Sequence, residues 1–168
     1  TVCRLSKEKG LFEFFKTISK LNFNLKFTII GDGPEKNALQ NLSIKLGISD
    51  KITFLGFLNF KEINKQLKTF YVFINCSYFE GFPNSVIESL ANGIPVVATQ
   101  SHGGINEIIN NKNFGYIYKN EKDLIKTLLN LNNKKLKINL RKKEITKHLK
   151  KFSLDENIKN YSGIFQNL

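Results

Sequence analysis

The sequence predicts an α/β fold, a doubly wound parallel sheet of about six strands with helices on both faces. Three observations predict it. Short apolar runs alternate with stretches of helical periodicity along the whole chain. Leu11, Phe14, Phe15 and Ile18 repeat at i, i+3, i+4, i+7, the spacing of one buried helix face. The stretch from Tyr71 to Thr99 reads as a buried strand, a kinked loop, a helix start and a second buried strand.

In chain order, the predicted strands are Val2 to Arg4, Phe27 to Ile30, Ile52 to Phe54, Tyr71 to Asn75, Val96 to Ala98 and Gly115 to Tyr118. Leu39, Leu42 and Leu46 mark the inward stripe of the helix after the second strand. Gly31-Asp32-Gly33-Pro34 reads as a tight turn with Pro34 near the first helical position. The tail differs in kind. Ser153 to Glu156 makes a capping box, and Leu154, Ile158, Tyr161, Phe165 and Leu168 form an apolar stripe. Residues 1–150 are therefore expected to form one domain, and 151–168 an amphipathic helix that packs on this domain or on a neighbouring one. Thr1 stands directly before a buried strand and the sequence lacks Met, so the chain is expected to begin inside a longer protein.

Composition narrows the function classes. The 168 residues carry a net charge of +12, and between Lys119 and Lys159 there are 13 Lys and Arg against 5 Asp and Glu. Such a region attracts anionic membranes or nucleic acid. No aromatic interleaving or nucleic-acid motif accompanies it, so a solvated Lys-rich surface is the favoured reading and no nucleic-acid partner is expected. Peripheral association with an anionic membrane fits the same charge. No apolar run approaches the roughly 20 residues that span a bilayer. Cys3 and Cys76, both in apolar strand context, read as buried thiols and point to a cytoplasmic setting. His148, in a Lys-rich helix, reads as a surface residue, and His102 as a loop residue near the cleft.

Doubly wound sheets bind ligands at the carboxyl ends of their strands, so the loops after the first and fourth strands are the candidate site. The first loop, Arg4 to Gly10, carries cations where a dinucleotide-binding domain would carry G-x-G-x-x-G. Arg as a bidentate fork and Lys as a point charge suit a diphosphate, though the same residues also suit a solvated loop. In the fourth loop, Pro83 precedes a helix that Asn84 or Ser85 can cap, with the amides of Ser85, Val86 and Ile87 expected to point outward. A phosphate there gains about 0.3–1 kcal/mol from the helix dipole, against roughly 1.5–3 kcal/mol for each charge-assisted hydrogen bond from Arg4 or Lys9. The side chains dominate. Glu88 is expected in the first turn of this helix, where the dipole alone would explain a carboxylate. Glu80 precedes it. Two carboxylates beside a diphosphate suggest a ligand rich in hydroxyls, such as a ribose and a sugar. They do not read as a glycosidase dyad, because they would contact opposite ends of an elongated ligand.

Six segments, in order, resemble the C-terminal, nucleotide-sugar-binding domain of the retaining glycosyltransferases of family 4, the second half of a GT-B fold. They are Cys3 to Gly10, Phe27 to Pro34, Ile52 to Phe57, Glu80-Gly81-Phe82-Pro83-Asn84-Ser85-Val86-Ile87-Glu88, Ala91 to Thr99 and Gly103 to Ile109. The resemblance implies a Rossmann-like domain that binds a nucleoside-diphosphate sugar, a UDP-sugar in preference to GDP-mannose, with no metal and no cofactor. A hexosyl or N-acetylhexosaminyl group would pass, with retention, to a glycan or lipid-linked acceptor held mainly by an N-terminal domain absent from this chain. Arg4, Lys9 and Glu80 are implied as catalytic, the two cations stabilising the departing diphosphate. Glu88 would hold the ribose. Gly81 and Phe82 would join Glu80 at the sugar, and Asn84, Ser85 and Val86 would meet phosphate. Gly31 and Gly33 would wall the cleft, and backbone at Phe57 would meet the base. Two other readings stay open: an inert nucleotide-sugar-binding module, and a nucleic-acid-binding domain using the basic C-terminal region.

Overall fold

Strands that are apolar on both faces must be covered on both faces. The computed structural model describes residues 1–22, 25–101, 103–110, 113–133 and 142–153. Among these, the strands are β1 (Phe27–Ile30), β2 (Ile52–Gly56), β3 (Phe73–Asn75), β4 (Val96–Thr99) and β5 (Gly115–Tyr118). All pairings are parallel; β1 pairs with β2, and β4 lies between β3 and β5. The connecting helices are α1 (Leu11–Ser19), α2 (Lys36–Lys45), α3 (Phe60–Leu67), α4 (Asn84–Ala91), α5 (Ile105–Ile108), α6 (Glu121–Asn132) and α7 (Lys142–Leu149). None of these helices is long and apolar enough to cross a membrane.

Alternation along β3 and β4 builds the two layers. Phe73, Val96 and Ala98 pack with Val86 and Leu90 of α4, Ile105 and Ile108 of α5 and Ile145 of α7. Ile74 and Val97 point the other way, to Phe14, Phe15 and Ile18 of α1 and to Leu124, Leu128 and Leu131 of α6. Each fully buried Leu, Ile or Phe contributes about 1.5–3 kcal/mol. The doubly wound class follows from that two-sided burial.

Three expectations are corrected. The sheet is divided into two-stranded and three-stranded parts. The predicted first strand, Val2 to Arg4, makes a single parallel bridge, Val2 to Ile30. It runs beside β1, with the Cys3 amide donating to the Ile30 carbonyl at 3.0 Å and the Leu5 amide to Asp32 at 2.9 Å, before the chain folds into the 3₁₀ turn Lys7–Lys9. The strand predicted from Tyr71 starts at Phe73, where pairing with β4 begins and the Phe73 amide donates to the Pro95 carbonyl at 2.8 Å; the Tyr71 side chain is exposed.

His148 is buried, contrary to its surface reading. It stands three residues after the buried Ile145, on the inward face of α7. Its Nε2 lies 2.9 Å from the Ile108 carbonyl, which can only accept, so Nε2 donates. The ring packs 4.8 Å from Phe114 and 5.4 Å from Phe152. A satisfied polar atom between two aromatic rings makes this burial affordable in physical terms. Cys3 and Cys76 are free thiols; burial raises both, Cys76 to about 12. His102 and the tail from Leu154 onward, with its capping box and apolar stripe, lie outside the described residues.

Candidate functional site

The carboxyl end of β1 is shaped by backbone packing. Gly31 has φ 130°, and a Cβ there would collide with the Cys3 carbonyl, so only glycine permits this approach. Its amide donates to the Gly56 carbonyl at 2.7 Å, joining the ends of β1 and β2. The result is a cleft of about 460 Å³ lined by Arg4, Gly31, Asp32, Phe57, Leu58 and Ile63, among others. Three predicted site residues, Arg4, Gly31 and Phe57, thus meet at one cleft. Arg4 is exposed, and the Phe57 ring is 80% exposed. Gly33 packs instead against the backbone of Leu5, and its amide donates to Asp32 Oδ1 at 2.8 Å. The second Asp32 oxygen accepts from Lys36 Nζ at 2.7 Å, and these two bonds hold the Asp32 carboxyl below its usual range.

The first turn and the fourth loop are tied to each other. The Tyr78 amide donates to the Glu8 carbonyl at 2.9 Å, and Gly10, in the left-handed region, lies against the backbone of Cys76. This register brings Lys9 Nζ to 2.9 Å from Glu80 Oε1 across 71 residues of sequence. The two side chains are 18% and 13% exposed. Ser77 Oγ donates to the same oxygen at 2.6 Å, and Asn75 Nδ2 lies 3.5 Å from it. Glu80 is a fixed carboxylate facing a fixed cation. Its backbone is fixed too, because Gly103 leaves room for the Glu80 carbonyl where a Cβ would otherwise sit. The Gly104 amide donates to Gly81 at 3.4 Å, and the half-exposed Phe82 ring lies 5.7 Å from Phe152.

The start of α4 differs from expectation in two respects. Neither Asn84 nor Ser85 caps it; Pro83 occupies the cap position, without a side-chain hydrogen bond. The amides of Val86 and Ile87 turn back onto the Pro83 carbonyl at 3.0 and 3.4 Å, so among the three amides expected to be free, Ser85 alone has no acceptor among the described residues. The Val86 side chain is in the core, while Asn84 is exposed and Ser85 half-buried. Glu88 is the fifth residue of α4 and so stands beyond its first turn. The dipole no longer accounts for it. Its half-buried carboxyl is raised above its usual value by desolvation.

Asn75 and Ser77 escaped the sequence reading. Their signal is a pair of polar residues closing an otherwise apolar run, where both are now 4% and 2% exposed. A second cavity, of about 390 Å³, opens at the amino-terminal ends of β1 and β3 and is lined by none of the predicted site residues. Arg4, Gly31 and Phe57 line the cleft at the other end of the strands, the end at which doubly wound sheets bind ligands.

Comparison with known proteins gives this geometry its family. Residues 1–153 match the family described as "Glycosyl transferases group 1". The chain is 34% identical over 134 residues, 77% of this chain and 36% of the relative, to the N-acetylgalactosamine-N,N'-diacetylbacillosaminyl-diphospho-undecaprenol 4-alpha-N-acetylgalactosaminyltransferase of Campylobacter jejuni. It superposes on the lipopolysaccharide outer core galactosyltransferase WaaB with a TM-score of 0.86 at 24% identity, covering 99% of this chain and 48% of that one. Against Alr3699/HepE of Anabaena in complex with UDP-glucose the TM-score is 0.82 at 18% identity, with 99% and 48% covered. The chain spans about a third of the length of the curated relatives it matches. By sequence and by fold, the chain belongs to the group 1 glycosyl transferases and has the architecture of the Rossmann-like C-terminal half of a GT-B glycosyltransferase.

Proposed function

We propose that this chain is the donor-binding half of a retaining glycosyltransferase of family 4, with the site formed by Arg4, Lys9, Glu80 and Glu88. The observation that carries the reading is the Lys9–Glu80 pair, which places a cation for phosphate and a carboxylate for sugar hydroxyls side by side. Arg4 and Lys9 grip the diphosphate, Glu88 accepts from the ribose hydroxyls, and backbone around Phe57 meets the base. Glu80, with the amides of Gly81 and Phe82, holds the sugar, while the start of α4 at Asn84, Ser85 and Val86 faces phosphate. Gly31 and Gly33 shape the wall.

The bond from the anomeric carbon to the diphosphate breaks, and its electron pair leaves with the nucleotide. An acceptor hydroxyl oxygen bonds to the same face of that carbon and passes its proton to the departing phosphate. Arg4 and Lys9 stabilise the charge that develops on the leaving group. A UDP-linked hexose or N-acetylhexosamine is the favoured donor, with GDP-mannose second; the structural neighbour bound to UDP-glucose supports this order. A lipid-linked or glycan acceptor is supported by the undecaprenol-linked substrate named for the Campylobacter relative. The acceptor side belongs to an N-terminal domain of the longer protein. The basic C-terminal region suits a peripheral position on an anionic membrane at the cytoplasmic face.

The test is incubation of the longer protein with UDP-glucose, UDP-galactose, UDP-N-acetylglucosamine and GDP-mannose over lipid-linked acceptors. Release of one nucleotide, with an α-linked product seen by NMR, is the expected outcome. A donor that binds yet is neither transferred nor hydrolysed would instead indicate an inert binding module.

Glu88 gives a second prediction. Because burial raises its folded-state value above the ordinary 4.5, its contribution to stability is most favourable below that pH and is lost as pH rises through the raised value. Glu88→Gln is therefore expected to raise the urea midpoint at pH 7, with the gain vanishing toward pH 4, while nucleoside diphosphate affinity falls. Calorimetric titration with UDP and denaturation at both pH values check it; unchanged affinity would remove Glu88 from the site.

A further inference from the structure

We infer that Ser77 is a positioning residue that holds the Glu80 carboxylate in its working orientation, and that it does so most when the donor is bound. The inference rests on the placement of Glu80 at the donor sugar proposed above. Every hydrogen bond to this carboxylate among the described residues falls on Oε1: Lys9 Nζ at 2.9 Å, Ser77 Oγ at 2.6 Å and Asn75 Nδ2 at 3.5 Å. That one-sided clamp turns the carboxylate about a fixed oxygen and presents Oε2 as the acceptor for a ligand hydroxyl.

The three donors are not equivalent. Asn75 is at the limit of hydrogen-bond distance and contributes little directly. Its Oδ1 accepts from the Ser77 amide at 3.2 Å, so Asn75 acts by fixing the backbone of Ser77. Lys9 has a second task, because a diphosphate in the cleft competes with Glu80 for its ammonium. As Lys9 shifts toward phosphate, Glu80 loses its cation. Ser77 is then the remaining close donor. It is suited to that role, since it is 2% exposed and shielded from competing water, and its one hydroxyl proton is committed to Oε1.

Loss of this hydroxyl should leave the nucleotide grip of Arg4 and Glu88 intact while letting the carboxylate rotate at the reacting sugar. A misplacement of that kind near the chemistry reduces rate by up to about a hundredfold. The experiment compares wild type, Ser77→Ala and Ser77→Thr in the full-length protein, measuring kcat and KM for the nucleotide sugar and Kd for UDP. For Ser77→Ala we expect kcat to fall by at least about tenfold with Kd for UDP nearly unchanged, and Ser77→Thr, which keeps the hydroxyl, to restore most of the rate. An unchanged kcat, or a kcat and a UDP affinity that fall by the same factor, would overturn the inference. Should Ser77→Ala fail to fold, Ser77→Cys, which replaces the hydroxyl by a slightly larger thiol that is a weaker donor, is read by the same criteria. Wild-type protein that binds no nucleotide sugar would overturn the donor-site reading and this inference with it, whereas an active wild type with an equally active Ser77→Ala overturns this inference alone.

Discussion

Glu80→Gln is expected to lower the rate of sugar transfer by about 10²- to 10³-fold, the range seen when a preorganised electrostatic group is removed from a reacting centre. The substitution keeps the shape of the side chain and an oxygen for Ser77 and Asn75. It removes the charge. Lys9 then loses its ion-pair partner at 2.9 Å, in surroundings where the two side chains are 18% and 13% exposed. Leaving that ammonium less well satisfied costs about 1–3 kcal/mol of stability. UDP should bind almost as before, because the proposed function places Arg4 and Glu88 at the nucleotide and Glu80 at the sugar. Steady-state rates beside UDP titrations separate the two effects; a rate within about threefold of wild type would take Glu80 out of the reaction.

Gly103→Ala is expected to have the largest effect on stability. Its Cβ would coincide with the Glu80 carbonyl oxygen and lie 3.1 Å from that of Gly81, both backbone atoms that cannot swing aside. The backbone at Gly103 also has φ 112°, a region that side chains disfavour. Overpacking costs about 1–3 kcal/mol, and forcing an L residue into left-handed backbone adds roughly 1–2 kcal/mol. Relief requires the loop of Glu80 to move, so donor binding should weaken along with stability. Urea denaturation read by circular dichroism checks the first effect and donor titration the second; wild-type stability would show that this loop contact is slack.

Both effects depend on contacts between loops far apart in sequence, which explains what could be read from the chain beforehand. The βα rhythm was legible because hydrophobic periodicity is local: Leu11, Phe14, Phe15 and Ile18 mark α1, and all four are buried. The association of the first and fourth loops was legible because the topology itself places them at one edge. The hydrogen bonds that orient Glu80 were not, since Ser77 and Asn75 are ordinary polar residues until the fold buries them. His148 misled for a related reason. Its Lys-rich neighbours suggested a solvated face, yet Ile145, His148 and Phe152 recur at i, i+3 and i+7, and that stripe faces Ile108 and Phe114. Glu88 was misplaced by a boundary effect. With Asn84 as the first helical residue after Pro83, the carboxylate falls beyond the turn where the dipole acts.

Arg4 and Glu88 are proposed to form one nucleotide site near the carboxyl ends of the strands. Ligand-observed NMR of this chain with UDP, GDP, ADP and their sugar conjugates tests that claim most directly, because it registers weak binding. Selective binding of UDP and its sugars, lost in both Arg4→Ala and Glu88→Ala, is the expected result. Binding that is equal for all three nucleotides, or that survives both substitutions, would contradict it.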